Sequence, residues 1–168
     1  MKRIVLLVVL LVATASPAFG ALSKLGVGLH YLHNLGDIKN ENLSDLEKDS
    51  FGVIGSYQFS PGVFKIEGDV EYIFNYLGTD EAMWEPSAWG LTSGMLYGGA
   101  GIGIGYRDGD WQKNPWYALR AGLDMPLTMF DLDAYATYRF QSAGDLGDVV
   151  DDLDSLTFAA VIRFPFGP

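Results

Sequence analysis

The sequence predicts an all-β protein whose fold class is an eight-stranded antiparallel up-and-down transmembrane β-barrel. Apolar and polar residues alternate with a period of two, short and long connections follow each other in turn, and charge is kept off one face of every strand. Beyond residue 20, no apolar run approaches the roughly 20 residues that a membrane helix needs. Since only helices and closed barrels pair every backbone polar group within lipid, a membrane protein with this pattern has to be a barrel.

The first twenty residues have the features of a secretory signal peptide. The positive pair Lys2 and Arg3 precedes an uncharged apolar run that is too short to span a bilayer. Small residues then occupy the two positions that a signal peptidase reads, which places the expected cleavage before Ala21. We therefore expect residues 1–20 to be removed and residues 21–168 to form one barrel domain.

The composition excludes several classes of function. The expected mature chain has 148 residues (168 minus 20), with 9 basic residues (11 minus 2) and 21 acidic ones, which gives a formal charge of −12. Such a charge repels nucleic acid, so a DNA- or RNA-binding role is excluded. The chain has no cysteine, which excludes disulfides, thiolate chemistry and lipid attachment at a cysteine.

Eight segments alternate in the manner of half-buried strands, each bounded by turn residues. Residues 86–93 show the weakest alternation, but bacterial single-chain barrels have even strand numbers, which favours counting them as the fourth strand. The predicted strands are Lys24–Asn34, Ser50–Phe59, Val63–Tyr76, Pro86–Ser93, Met95–Tyr106, Trp116–Asp124, Phe130–Gln141 and Ser155–Phe166.

The connections between these strands alternate in length. Three are short, and the other four are much longer: 35–49, 77–85, 107–115 and 142–154. An outer-membrane barrel has short periplasmic turns on one rim and longer extracellular loops on the other. We therefore expect the long connections to face the outside and both termini to lie on the short-turn side.

Charged residues are concentrated in the long connections and on one face of each strand. The four long connections hold 15 of the acidic residues and only four basic ones, and every charge within a strand falls on the face opposite the apolar one. A charge facing lipid near the midplane costs about 2–4 kcal/mol for Arg or Lys, so a membrane barrel excludes it. The strand charges that we assign to a lumen ion-pair network are Lys65, Glu67, Asp69, Glu71, Arg120, Asp124, Asp131, Asp133, Arg139 and Arg163.

Glycines indicate which face points inward. A soluble lipocalin-like barrel in the periplasm, binding a ligand, would have the same alternation with its apolar face inside. Glycine weakens a strand interior, yet rows of glycine share the charged face at 26, 28, 99, 101, 103 and 105. Inside a narrow barrel they make room for the arginines and carboxylates of other strands.

Aromatic residues are expected to form two belts where the barrel meets the two membrane surfaces. The belt near the long connections is predicted to contain Phe51, Phe74, Tyr76, Trp89, Tyr106, Tyr117, Tyr138 and Phe140. The belt near the short turns is predicted to contain Phe59, Phe64, Phe164 and Phe166.

In this pattern of strands, loops and charges, the chain resembles the small eight-stranded outer-membrane barrels of the OmpA and OmpX type. The resemblance covers the whole mature chain and is one of pattern, without a specific motif. It implies a Gram-negative cell outer membrane and a final aromatic strand read by the barrel-assembly machinery. Residues 160–166 look like that signal, with Phe164 or Phe166 as the residue recognised, although Gly167 and Pro168 follow them here.

The two histidines are the candidates for chemistry at the outer rim. His30 shares the lumen face, and His33 points toward lipid or the interface. Outer-membrane acylases and deacylases of lipid A use a histidine with serine or acidic partners, and His33 with Ser44, Ser87 or loop acids could imitate that arrangement. No spacing supports such a catalytic site, and none supports a metal site, a cofactor or an EF-hand.

The sequence thus favours a non-enzymatic outer-membrane barrel with a structural or surface-interaction role and a plugged lumen. A narrow pore is the second possibility, although eight strands leave an interior only just wide enough for side chains. An outer-leaflet lipid-modifying enzyme is the third, and the lipocalin-like barrel the fourth. The expected partners are outer-membrane lipid, lipopolysaccharide and the assembly machinery, and the expected state is a monomer.

Overall fold

The computed structural model describes residues 23–34, 49–76, 81–140 and 155–166. The predicted signal peptide and much of the first, second and fourth long connections lie outside these residues. Among the described residues, no helix has the length and apolarity required to cross a bilayer.

In the described part of the chain, ten strands form one sheet, and eight of them are long enough to build a barrel wall. The remaining two, β6 and β7, form a short ribbon. The strands are β1 (Ser23–Asn34), β2 (Asp49–Phe59), β3 (Phe64–Phe74), β4 (Met83–Thr92), β5 (Leu96–Gly103), β6 (Tyr106–Arg107), β7 (Asp110–Trp111), β8 (Trp116–Pro126), β9 (Asp131–Phe140) and β10 (Ser155–Phe166).

The sheet closes on itself. Each wall strand pairs antiparallel with its neighbour along the chain, in the order β3-β2-β1-β10-β9-β8-β5-β4, and the pairing of β3 with β4 completes the ring. The first and last strands pair over their whole lengths, from Ser23 with Phe166 to Asn34 with Ser155. Closure removes the free strand edges that an open sheet would expose. The predicted eight-stranded up-and-down barrel is therefore confirmed.

Two strand predictions need correction at the long-connection rim. Strand β4 begins at Met83 rather than Pro86, so Glu85, which the sequence analysis assigned to a loop, lies within the wall. The third long connection contains the ribbon of β6 and β7. Its turn residues Asp108 and Gly109 both have positive φ, which is the requirement of a two-residue type I′ hairpin turn.

The two faces of the wall differ as the alternation predicts. The outward residues of mid-strand are apolar and exposed, among them Leu29, Val70 and Leu119. On the outward face of the eight described wall strands, Asp49 at the start of β2 is the single acidic residue, and Lys and Arg do not occur. The charged side chains point into the lumen instead.

Two of the aromatic predictions were wrong. Trp89 faces the lumen, with 3 % of its surface exposed, rather than the lipid. Tyr76 packs against the buried cluster of Leu32, Ile73 and Met83 at the long-connection end of the lumen. The sequence analysis assigned both residues to the belt because they lie near the long-connection ends of their strands. The alternation along β4, however, already puts Trp89 on the charged face.

The glycine row of β5 makes room for indole rings. A Cβ on Gly101 would overlap the ring of Trp89, and a Cβ on Gly103 would overlap the ring of Trp116. On the adjacent strand β8, where Gly122 is the register partner of Tyr97, a Cβ on Gly122 would lie 2.6 Å from the phenol ring of Tyr97. The glycines therefore make room directly for inward aromatic rings, and the arginines in turn lie against the rings of Trp89 and Trp116.

A matched pair of glycines tests this packing. Gly101→Val should lower the unfolding midpoint in detergent or prevent folding, because the new side chain displaces Trp89 from a crowded lumen. Gly90→Val lies on the outward face, where an added Cβ would meet no atom within 4 Å, and it should leave the midpoint nearly unchanged. Equal midpoints for the two variants would show that the lumen has space to spare.

Candidate functional site

The lumen collects the charged side chains of the wall. All ten residues that the sequence assigns to the lumen network point inward, and each is at most 8 % exposed. Two further charged side chains and a histidine join them, namely Lys24, Glu85 and His30. Parity along the strands places Lys24 and His30 correctly, while Glu85 was missed because it was counted as part of a loop.

The layer nearest the short turns contains two lysines and two aspartates. Lys24 forms an ion pair with Asp131 and lies 3.9 Å from Asp124. Lys65 donates to Asp124 from β3, on another part of the wall. The four formal charges of this layer balance.

The middle layer is the most completely buried. Arg120 donates from Nη1 to Glu67 at 2.7 Å and from Nη2 to Asp69 at 2.9 Å. Arg163 donates from Nη2 to Asp133 at 2.7 Å and to Glu67 at 3.0 Å. Glu67 therefore joins two guanidinium groups that come from different strands, and it links β3, β8 and β10 across the lumen.

Neutral polar groups add hydrogen bonds to this middle layer. Gln58 Nε2 donates to Glu67 at 2.8 Å, and Arg163 Nη1 donates to the Ser56 hydroxyl at 2.7 Å. The Tyr97 hydroxyl donates to Asp133 at 2.8 Å. A buried carboxylate is costly unless it is both paired and hydrogen-bonded, and Glu67 and Asp133 meet that condition.

The outer layer is centred on Arg139. Its Nη1 lies 2.5 Å from Glu85, and its Nη2 lies 2.7 Å from Glu71. Glu71 also lies 2.9 Å from Nδ1 of His30. Among the described residues, Arg139 is thus the one Lys or Arg of this layer, and it forms ion pairs with two carboxylates.

Two arginines of the lumen lie over aromatic rings. The guanidinium carbon of Arg120 is 3.6 Å from the ring centre of Trp89 and 3.9 Å from that of Tyr135. Arg139 lies 4.3 Å from the ring centre of Trp116 in the same way. Such stacking stabilises a desolvated guanidinium by about 2 kcal/mol. It also fixes the plane in which each arginine presents its donors.

Carboxylates outnumber Lys and Arg in the described lumen. There are seven of the former and five of the latter, so the formal charge is −2 with His30 neutral. Removing any arginine therefore increases an existing excess of negative charge. The carboxylates are Glu67, Asp69, Glu71, Glu85, Asp124, Asp131 and Asp133, and the cations are Lys24, Lys65, Arg120, Arg139 and Arg163.

An apolar cluster covers the charged layers on the long-connection side. Leu32, Ile73 and Met83 are buried there, and Tyr76 packs against them. Burial, and next the nearby charge of Glu85, raise the pKa of Tyr76 to about 12, so this phenol stays neutral at physiological pH. The lumen is therefore filled by paired charges below and by uncharged side chains above.

A polar cluster lies on the outer surface, where β1 and β2 meet the first long connection. His33 Nδ1 lies 2.7 Å from Asp49 Oδ1, and the Tyr31 hydroxyl donates to the same oxygen at 2.9 Å. The sequence analysis named Ser44, Ser87 or loop acids as partners of His33, and the contact observed is with one of those acids, Asp49. Ser87 lies on the lumen side of the wall, where it accepts a hydrogen bond from Trp89 Nε1 at 3.0 Å. Ser44 lies outside the described residues.

Within the described residues, no group of three or more His, Asp or Glu side chains is arranged to hold a metal ion. The two residues of the predicted assembly signal lie near the short-turn end of β10. Phe164 is outward and lies 6.1 Å from the ring of Phe130, and Phe166 lies 5.9 Å from the ring of Tyr57. Their recognition during assembly stays a prediction.

No protein-family profile and no curated protein sequence match this chain. Its structure is similar to that of Neisserial surface protein A, which is 16 % identical over 86 % of this chain and 97 % of that one, with a TM-score of 0.62. It is also similar to Ail, the attachment invasion locus protein of Yersinia pestis, solved with the heparin analogue sucrose octasulfate. Ail is 18 % identical, with the same coverage and a TM-score of 0.50.

These comparisons establish the fold. The chain has the barrel fold of small outer-membrane proteins, as its resemblance to the OmpA and OmpX type implied. The apolar outer face and the charged lumen agree with that fold. Fold and exterior together support the predicted location in a bacterial outer membrane.

Arg139 provides a test of the network against a matched surface arginine. Arg139→Leu leaves Glu71 and Glu85 without a guanidinium partner in a closed space, and breaking a buried pair typically costs about 3–5 kcal/mol. Arg107, which lies 3.4 Å from Glu81 and is 42 % exposed in its side chain, should cost at most about 1 kcal/mol when changed to Leu. The measurement is the free energy of unfolding in detergent, and similar losses in both variants would contradict burial of the network.

Proposed function

We propose that this chain is an outer-membrane barrel with a surface-interaction role, in which a rigid wall around a plugged lumen holds acidic loops at the cell surface. The observation that carries the proposal is the filling of the lumen. Arg120, Arg139 and Arg163 cross-link the wall from the inside. A barrel of this kind supports its loops rather than conducting through its centre, which argues against the narrow pore.

The sign of the loop charge indicates the kind of partner. Moving Asp49 and Glu85 into the wall leaves 13 of the 15 acidic residues, with four basic ones, in the four long connections as the sequence defines them. Ail was solved with a sulfated, strongly anionic ligand. The present loops would repel such a ligand, so the partner that they fit is cationic, for example a basic protein surface or peptide.

A non-enzymatic role agrees with the outer polar cluster. His33 and Asp49 form a pair that could orient an imidazole as a base. Among the described residues, however, the hydroxyl in contact with this pair is that of Tyr31, which donates to Asp49 and is not placed as a nucleophile toward His33. The cluster is better explained as a cross-strand polar contact at the membrane surface.

Binding to charged polymers tests the proposal. The full barrel in lipid vesicles should bind poly-lysine in a manner that weakens as salt is raised, and it should not bind heparin. Two variants carry equal charge changes: one replaces Asp37, Glu41, Asp45 and Glu47 by their amides, and the other replaces Asp145, Asp148, Asp151 and Asp152.

At least one of these two variants should lose most of the affinity for poly-lysine, and the one that loses more identifies the loop that dominates. Unchanged affinity in both variants would contradict the proposal. Binding of heparin in preference to poly-lysine would contradict it as well.

A further inference from the structure

The three short connections have an unexpected surface. We define the short-turn rim as residues 60–63, 93–96 and 127–130, which together contain no charged residue. Instead, they expose large apolar side chains. Val63 is 85 % exposed, Met129 is 79 % exposed and Leu96 is 76 % exposed, with Met95 and Leu127 also more than half exposed.

The opposite rim differs in charge. Its described part carries Glu81, Arg107, Asp108, Asp110 and Lys113. Turns that face water are normally polar, and exposed apolar groups gathered at one end of a molecule mark a contact surface. The apolar composition of the short-turn rim is therefore not that of turns surrounded only by water.

The height of the barrel places this rim at the boundary of a bilayer. Strand β3 runs from Phe64 to Phe74, which at about 3.4 Å per residue and a tilt of about 40° gives a height of about 26 Å. The apolar band of an outer-membrane barrel is about 25 Å tall. With Phe74 at the outer boundary of the hydrocarbon, Phe64 lies at the inner boundary, and Val63 lies next to it in the headgroup layer.

The apolar residues are distributed around the barrel rather than on one side. They come from the turns between β2 and β3, between β4 and β5, and between β8 and β9. The turns are held in place by backbone hydrogen bonds, from Ser93 N to Val63 O at 3.0 Å and from Leu127 N to Phe130 O at 2.9 Å. A protein partner needs one contiguous face, whereas lipid surrounds the whole circumference.

We propose that the short-turn rim is a lipid-contact surface, with Val63, Met95, Leu127 and Met129 inserted into the headgroup layer of the periplasmic leaflet. The barrel is thus placed so that its short-turn end lies within the periplasmic leaflet. Its charged rim projects into water on the outer side, and its short turns do not project into the periplasm. The inference requires that the barrel spans a bilayer, and it is independent of the partner of the loops.

The absence of cysteine allows a direct test by single labels. Val63→Cys and Met129→Cys each carry a nitroxide in the full barrel, reconstituted in phosphatidylcholine vesicles. Collision rates are measured with oxygen, which concentrates in lipid, and with a nickel chelate, which stays in water. Both native side chains are largely exposed, so the labels should not disturb folding.

Two further positions calibrate the result. A label at Ile66, on the outward face of β3, reports the lipid, and a label at Lys113, in the third long connection, reports water. The labels at Val63 and Met129 should show far fewer nickel collisions than the label at Lys113, at a level between it and the label at Ile66, because the headgroup layer lies between water and hydrocarbon. Nickel collisions equal to those at Lys113 would overturn the proposal.

Lowering the ratio of protein to lipid distinguishes contact of the rim with lipid from contact with a second protein molecule. Protection from nickel that persists at a low ratio of protein to lipid supports insertion into the headgroup layer. Protection that appears only at high protein density would mean that a second copy covers the rim, and would also overturn the proposal. If the label at Ile66 is itself open to the nickel chelate, the membrane-spanning account fails as a whole.

Discussion

The structure depends on one constraint: eight strands close around an interior so narrow that the charges pointing inward have to form ion pairs with one another. The wall directs seven carboxylates and five Lys or Arg side chains into this space. Bonds such as that of Arg120 to Glu67, at 2.7 Å, join strands that are not neighbours in the sheet. The backbone ladder closes the barrel, and the ion pairs brace it across the middle.

This constraint separates the roles of the two surfaces. The lumen is occupied by paired charges, stacked rings and the apolar cluster around Ile73, so its side chains serve stability. The outer face has to match lipid, and it excludes Lys and Arg over the described wall strands. Interaction with other molecules is thereby left to the rims, one acidic in sequence and the other apolar. Our proposals for cationic partners and for lipid contact follow from that division.

The sequence predicted the parity of the wall well, because a period of two leaves each residue only two possible faces. It failed where position along the strand mattered. Glu85 was counted as a loop residue, and Trp89 was assigned to a lipid belt although its parity is inward. It also could not say which charges pair. The contact of Arg139 with Glu71 joins residues 68 positions apart, and it depends on the register of several strands at once.

The central claim is that the lumen charges stabilise the barrel as a set of mutually dependent ion pairs. A double-mutant cycle on Arg139 and Glu85, measured as the free energy of unfolding, tests it most directly. Arg139→Leu leaves two carboxylates without their guanidinium partner, and adding Glu85→Leu removes one of them and leaves Glu71 beside His30. The account predicts that the double variant is more stable than Arg139→Leu alone. A double variant destabilised by the sum of the two single losses would contradict it.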